Sequence, residues 1–274
     1  MDKGLEYLIE HLGGAPHLTA MLSVGTLVAA RIGPLTVLLP WLALRGAPAL
    51  LRTAIVLALT LAMFPVTAAA TVELPSSPYV LSALALREVV IGAIFALAAG
   101  LPFFALDWSG RLVDTWRGAS LAEVIAPPTG ERTSPLGDLW LLGGIALFLS
   151  LGGHRLALAA FAEGLAIAPV GAVAFGQDTG EAILMTVRLS ATAIAFSAAI
   201  AAPAAVAIVL VEVGLGLIAR SAPQIPVFFA GMPLRAATGL AAVLLAASLV
   251  VADLPDVFAA ATHAAAQQLE RLAP

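Results

Sequence analysis

The chain has 274 residues, of which 61% are hydrophobic and only 11% carry a charge, and its formal net charge is −4. Soluble domains carry about 25% charged residues, so this composition excludes a soluble protein, and the lack of a basic stripe excludes nucleic acid as a partner. The chain has no cysteine, so it can neither form disulfides nor bind a metal through thiolates. From its apolar composition, the chain is predicted to be surrounded by lipid or by other membrane-type helices.

About six hydrophobic segments follow one another along the chain, and most approach the length that spans a bilayer. A helix crosses the hydrocarbon core with about 20 apolar residues. Segments of this kind lie at 11–44, 53–72, 89–106, 139–153, 189–211 and 236–252. We therefore predict an all-α, multi-helix membrane protein that contains broken helices and helical hairpins.

Proline and glycine indicate where these helices break. Gly33 and Pro34 are predicted to kink or break the first helix, and the Gly152-Gly153 pair interrupts the fourth apolar segment. Residues 107–138 form the longest polar stretch, and the second half, from 127 to 137, is rich in Pro, Gly, Ser and Thr. That composition predicts a loop.

The helical pattern over 179–221 is broken only by Pro203 and is too long for a simple membrane span. At 1.5 Å per residue it approaches about 65 Å, whereas the hydrocarbon core is about 30 Å thick. The helix must bend at Pro203, project from the membrane or lie inside a protein assembly. Residues 220–226 are predicted as a hairpin tip, followed by a returning helix to 252 and an amphipathic tail over 253–274.

Ionisable residues inside apolar segments are costly and often have a role. The candidates are Arg31, Arg87, Glu88, Glu163, Glu212 and Arg220. They form either a proton or substrate path, or ion pairs with one another or with a neighbouring subunit, and we favour ion pairs for the first four. Glu212 and Arg220 lie nearly on one helical face with Gly214 and Gly216 between them, which favours close packing against a partner helix.

No sequence motif of an enzyme is found. The only lysine is Lys3, so no lysine is available for a phosphate-binding loop. The chain contains neither G-x-S-x-G nor H-E-x-x-H, and its histidines do not pair at a metal-ligand spacing. We predict no catalytic site, no metal and no cofactor.

Several motifs occur in order along the chain. Residues 212–235 read EVGLGLIARSAPQIPVFFAGMPLR, with Glu212, Gly214, Leu215, Arg220, Ala222, Pro223, Gln224, Phe228, Pro233, Leu234 and Arg235 as the characteristic positions. Earlier positions are Arg31, Gly33, Pro34, Pro40, Arg87, Glu88, Gly92, Asp114, Arg117, Gly118, residues 134–137 and residues 152–154. Together they resemble the type III secretion export-gate protein family, known as SctT in injectisomes and FliR in flagella, over nearly the whole chain.

A few positions depart from the family pattern. Pro226 stands where Asn is usual, Trp116 replaces a common Gln, and Arg235 replaces a frequent Lys while keeping the charge. Ala126 precedes proline where Asp is often seen. The Arg-Gly element and the sequence of residues 228–233 resemble injectisome members more than flagellar ones.

The resemblance implies one export-gate domain over 1–274 in the bacterial inner membrane, within the secretion basal body. An N-terminal helical part would cover 1–176, a long helical hairpin 177–252 and the tail 253–274. The implied partners are two smaller membrane proteins (SctR/FliP-like and SctS/FliQ-like), the autocleaving switch protein (SctU/FlhB-like), unfolded secreted proteins in transit and membrane lipid.

The resemblance also implies a plug loop over 102–118, from Pro102 to Gly118. A gate of bulky apolar groups closes a pore by excluding water. The bulky groups here are Phe103, Phe104, Leu106 and Trp108, and the charged groups that could latch the loop are Asp107, Arg111, Asp114 and Arg117. The alternative is that Phe103 and Phe104 end a lipid-facing helix.

Two other functional classes remain open at this point. One is a small-molecule permease, although such proteins usually contain an internal inverted repeat and none is found here. The other is a structural membrane scaffold. Co-purification with two small hydrophobic proteins favours the export gate, whereas solo purification with ligand binding favours a permease.

Overall fold

The computed structural model describes residues 15–43, 48–68, 77–118, 134–172 and 177–272. Within these ranges the chain forms helices and no strands, as the sequence predicts. The helices are α1 (Ala15–Ile32), α2 (Leu35–Leu38), α3 (Ala49–Ala68), α4 (Pro78–Trp116), α5 (Pro135–Ser150), α6 (Gly153–Ile167), α7 (Gln177–Ser221) and α8 (Val227–Arg271). Helices suit a chain this apolar because each one satisfies its backbone hydrogen bonds internally.

The predicted number of hydrophobic segments is confirmed. Among the described residues, five helical segments are long and apolar enough to cross a membrane. The pair α5 and α6 is bent by 75° and makes a sixth if the two count as one broken span.

Both predicted helix breaks are also confirmed. α1 ends at Ile32, and Gly33 and Pro34 separate it from α2. Between α5 and α6, Gly152 adopts a φ of 75°, which glycine tolerates without the steric penalty of a side chain.

Three helices greatly exceed the thickness of a membrane. α4 has 39 residues, and α7 and α8 have 45 each, which correspond to lengths of about 58 Å and about 67 Å. α7 covers the predicted range, but it continues through Pro203, where the sequence predicted a break. α8 continues through Pro255 to Arg271, so the returning helix and the amphipathic tail are one continuous helix.

The chain divides into two compact units, each assembled from separate stretches of sequence. The first comprises Met1–Gly100, His154–Val187 and Ala261–Pro274, and the second comprises Leu101–Gly153 and Arg188–Ala260. α4, α7 and α8 contribute to both units, because three of the four divisions fall inside these helices, and the fourth falls at the start of α6.

The core of the first unit is aliphatic with one aromatic pair. Phe95 of α4 and Phe161 of α6 are both buried and pack edge to face with ring centroids 5.2 Å apart. Gly164 of α6 lies against Leu269 of α8 so closely that a Cβ there would overlap the leucine side chain. The tail is therefore part of this core, and Ala265 and Leu269 on its predicted apolar face are completely buried.

Three phenylalanines form the centre of the second unit. Phe103 of α4, Phe148 of α5 and Phe258 of α8 have ring centroids between 4.9 and 5.2 Å apart. A second apolar cluster contains Val113, Leu136, Ala201, Ala204 and Val243. The aromatic centre fixes the second half of α4, the segment expected to form a plug.

Candidate functional site

Most of the predicted site residues gather at three places. The first is a buried ion pair between α1 and α4, in the first unit. The second is the junction between the end of α4 and the start of α5, in the second unit. The third is the hairpin of α7 and α8 near its tip, also in the second unit.

Arg31 and Glu88 form a completely buried ion pair, with both side chains 0% exposed. Arg31 Nε donates to Glu88 Oε2 at 2.6 Å, and Arg31 Nη1 donates to the carbonyl oxygen of Ala168 at 2.7 Å. The other carboxylate oxygen accepts the N–H of Gly171 at 3.0 Å. The favoured prediction was that these charges pair with one another or with a neighbouring subunit, and pairing with one another is confirmed for these two residues.

Gly92 explains why this ion pair fits between the two helices. It lies one turn after Glu88 on the same face of α4, and a Cβ at this position would overlap the carbonyl oxygen of Arg31. The absence of a side chain therefore lets the backbones of α1 and α4 approach closely. The Glu-x-x-x-Gly spacing follows from one physical requirement, a carboxylate and a gap on one helical face.

Arg87 lies beside the pair, with its Nη2 3.6 Å from Glu88 Oε1 and its side chain 13% exposed. Glu163, which the sequence placed with this group, is exposed on α6. The ion-pair cluster therefore contains three of the four predicted residues.

The segment 102–118 is not a loop, and this prediction was wrong for its conformation. α4 runs helically to Trp116, with Pro102 inside the helix and only Arg117 and Gly118 in a turn. The reason is packing: Phe103 and Leu106 are completely buried in the core of the second unit.

Phe104 and Trp108 lie on a different face of α4 from the buried Phe103 and Leu106. Both are partly exposed, and their rings stack with centroids 6.1 Å apart. They lie one turn apart on one face of α4. Of the four bulky groups predicted from sequence, these two are therefore the ones with accessible surface.

Asp114 joins the end of α4 to the start of α5. Its Oδ2 accepts the hydroxyl of Ser134 at 2.5 Å and the N–H of Leu136 at 3.0 Å. Its Oδ1 faces Arg117 of the same chain segment, whose Nε donates at 2.7 Å. Ser134 also accepts the N–H of Gly137 at 3.1 Å and so caps α5.

The backbones of the two helices touch at this junction. A Cβ on Gly110 would overlap backbone atoms of Leu136 and Gly137. One helical turn earlier, Arg111 Nε donates to Asp107 Oδ2 at 3.0 Å. The sequence predicted that Asp107, Arg111, Asp114 and Arg117 act as a latch, but it did not identify Ser134 and Gly110 as parts of this junction. The Ser-Pro start of α5 is an N-cap signature that could have revealed the contact of Ser134.

The hairpin turn lies at 222–226, as predicted, between the end of α7 and the start of α8. Glu212 Oε1 and Arg235 Nε lie 3.3 Å apart across the hairpin, with side-chain exposures of 49% and 25%. The remaining motif residues at the tip are exposed: Arg220, Pro223, Gln224, Phe228 and Pro233. A Cβ on Gly214 would meet no neighbouring atom within 4 Å, so this face of α7 is open to a partner.

No group of three His, Asp or Glu residues in the described part of the chain is placed to hold a metal ion. The three arrangements fix helix–helix distances and present a partly exposed aromatic pair and an open hairpin.

Comparison with known proteins gives a consistent result. A model of the family described as bacterial export proteins, family 1, matches residues 22–261. The Yop proteins translocation protein T of Yersinia pestis is 32% identical over 194 residues, covering 69% of this chain and 71% of that protein. The secretion system apparatus protein SsaT of Salmonella typhimurium is 32% identical over 190 residues, covering 68% and 72%. The flagellar biosynthetic protein FliR of Bacillus subtilis is 28% identical over 240 residues, covering 85% and 89%.

Proposed function

Because this chain belongs to the bacterial export proteins of family 1 and is a multi-pass inner-membrane component of a type III export apparatus, we propose that it forms part of a gated pore for unfolded proteins. Its partners in the pore are two smaller membrane proteins of the apparatus, and the autocleaving switch protein contacts the entrance. The family relationship supports a role in transport rather than in catalysis.

The length of the helices supports an assembled pore. α4, α7 and α8 are each about twice as long as the hydrocarbon core is thick, and each contains a stretch apolar enough to cross a membrane. Large apolar side chains are widely exposed on the hairpin, including Leu210 and Leu245 at 68% and 80%. Such surfaces need neighbouring helices or lipid to cover them.

The organisation we propose keeps one domain over 1–274. Within it, 1–176 forms the N-terminal helical part, 177–252 the hairpin and 253–274 the tail. In this proposal, the hairpin packs against the smaller partners through the open face around Gly214.

The gate we propose is the face of α4 that carries Phe104 and Trp108. Stacked aromatic rings that are only partly buried can line a constriction and close it by excluding water. Phe103 and Leu106 hold this segment in place from the opposite side of the helix. The charged junction around Asp114 fixes the end of the segment.

Co-purification tests the assembly. The tagged chain, extracted from membranes in mild detergent, should bring down two small hydrophobic proteins of the apparatus. Purification of the chain alone, together with binding of a small solute, would instead favour a permease.

Ion conductance tests the gate. The double variant Phe104→Ala/Trp108→Ala should raise the conductance of the assembled complex in a lipid bilayer severalfold, while secretion continues. The matched control is Trp116→Ala, because Trp116 is exposed at the end of the same helix. Unchanged conductance in the double variant, with the complex intact, would refute the gate.

We also propose that this member serves a secretion system rather than a flagellum. The two relatives at 32% identity are named for protein translocation and secretion, and the flagellar relative is 28% identical. Expression in deletion strains of each kind tests this: the chain should restore secretion and leave motility absent.

A further inference from the structure

The two carboxylate oxygens of Asp114 bind partners in two different parts of the junction. Oδ1 faces Arg117, which is only three residues away at the end of α4. Oδ2 faces Ser134 and Leu136, which belong to the start of α5. One oxygen therefore binds within its own helix end, and the other binds across the junction.

This division means that the junction can separate without leaving the Asp114 carboxylate as an unpaired charge. When α4 and α5 part, Arg117 moves with Asp114 and continues to neutralise its charge. Ser134 keeps its bond from the N–H of Gly137 and continues to cap α5. A carboxylate without such a companion would become an unpaired charge in an apolar setting, which is strongly unfavourable.

The ion pair of the first unit is built in the opposite way. Arg31 and Glu88 lie on different helices, and both side chains are completely buried. Separating α1 from α4 would leave both charges uncompensated. The molecule therefore contains one permanent polar contact and one that is suited to open and close.

We propose that Ser134 is a positioning residue for the closed gate, and that the junction between Asp114 and Ser134 separates when the gate opens. This inference rests on the proposed gate at Phe104 and Trp108, which lie on the same helix as Asp114. The Ser134 hydroxyl holds Asp114, and Asp114 fixes the end of the gate segment.

Paired serine variants test the closed state. Ser134→Ala in the assembled complex should raise the closed-state ion leak by about fivefold, the factor by which loss of one typical hydrogen bond, here the bond to Asp114, shifts a two-state equilibrium. Ser134→Thr keeps the hydroxyl and should restore the low leak. Ser150→Ala is the matched control, because Ser150 ends the same helix and bonds only the carbonyl of Leu147 within it.

Thiol labelling tests the opening step. The chain has no cysteine, so Ser134→Cys introduces a single thiol at a position that is 7% exposed. The thiol should react severalfold faster with a water-soluble maleimide when a stalled secretion substrate holds the gate open than when no substrate is present.

Four results would overturn the inference. A Ser134→Ala complex that forms in low yield, without a leak from the complex that remains, would show a folding cap only. Labelling at the same rate with and without a stalled substrate would show that the junction stays closed. A leak from the Phe104→Ala/Trp108→Ala complex but not from the Ser134→Ala complex would refute the role of Ser134 and leave the proposed gate intact. No leak from either complex would refute the gate itself.

Discussion

Arg31 and Glu88 lie 57 positions apart in the sequence and meet in a salt bridge of 2.5 Å that no solvent reaches. Each side chain alone would be an uncompensated charge in an apolar interior. Their contact, together with the Ala168 carbonyl and the Gly171 N–H, joins three separate parts of the first unit.

We predict that breaking this pair on one side is severely destabilising. Arg31→Met leaves Glu88 buried without its cation, and the cost should be about 3–5 kcal/mol of unfolding free energy. The double variant Arg31→Met/Glu88→Met removes both charges and should recover most of that loss. Thermal unfolding of the chain in detergent measures both, and a double variant that is as unstable as the single one would contradict the account.

Gly92→Ala should also destabilise the first unit. The added methyl group overlaps the carbonyl oxygen of Arg31, so α1 and α4 must move apart, at a cost of about 1–3 kcal/mol or more. Gly143→Ala is the control, since Gly143 is exposed in α5 and its Cβ would meet nothing. That change should be neutral or stabilise by up to about 1 kcal/mol, and equal effects at the two glycines would exclude close helix contact as the cause.

Leu269→Ala should unfold the tail from the core of the first unit. Leu269 is completely buried against Gly164, and truncation of a buried leucine costs about 2–5 kcal/mol. Leu245→Ala on the same helix provides the comparison, because Leu245 is 80% exposed. Limited proteolysis should cleave the Leu269 variant near its C-terminal end first, and protection equal to that of the Leu245 variant would be the contrary result.

The hairpin pair should matter for assembly rather than for the stability of the single chain. Glu212 and Arg235 are partly exposed, and exposed ion pairs contribute only about 0–1 kcal/mol. Glu212→Arg should therefore leave the melting temperature of the chain nearly unchanged but block assembly or export, as should Arg220→Glu. The double swap Glu212→Arg/Arg235→Glu should restore part of the assembly if the two residues act on each other. Wild-type secretion from the single variants would refute the role of these hairpin residues in assembly.

Sequence patterns predicted the helical class, the approximate number of hydrophobic segments, and the breaks at Gly33-Pro34 and Gly152-Gly153. These features depend on local composition, which a sequence shows directly. Ion pairs of Arg31, Arg87, Glu88 and Glu163 with one another or with a neighbouring subunit were favoured, but the specific pair of Arg31 with Glu88 was not predicted. Its further partners, Ala168 and Gly171, were not predicted either, because they come from a distant segment. The helical conformation of 102–118 was missed because the family resemblance implied a plug loop there, whereas burial of Phe103 against Phe148 and Phe258 favours helix.

The contact between Gly110 and Gly137 restricts how this protein can evolve. Every glycine codon begins with two guanines, so any change at the first or second base that still encodes a residue adds at least a methyl group. At Gly110 that methyl would enter the backbone of the adjoining helix. Neutral drift at this codon is therefore confined to its third base, and lineages that diverge elsewhere in the chain should inherit this crossing unaltered.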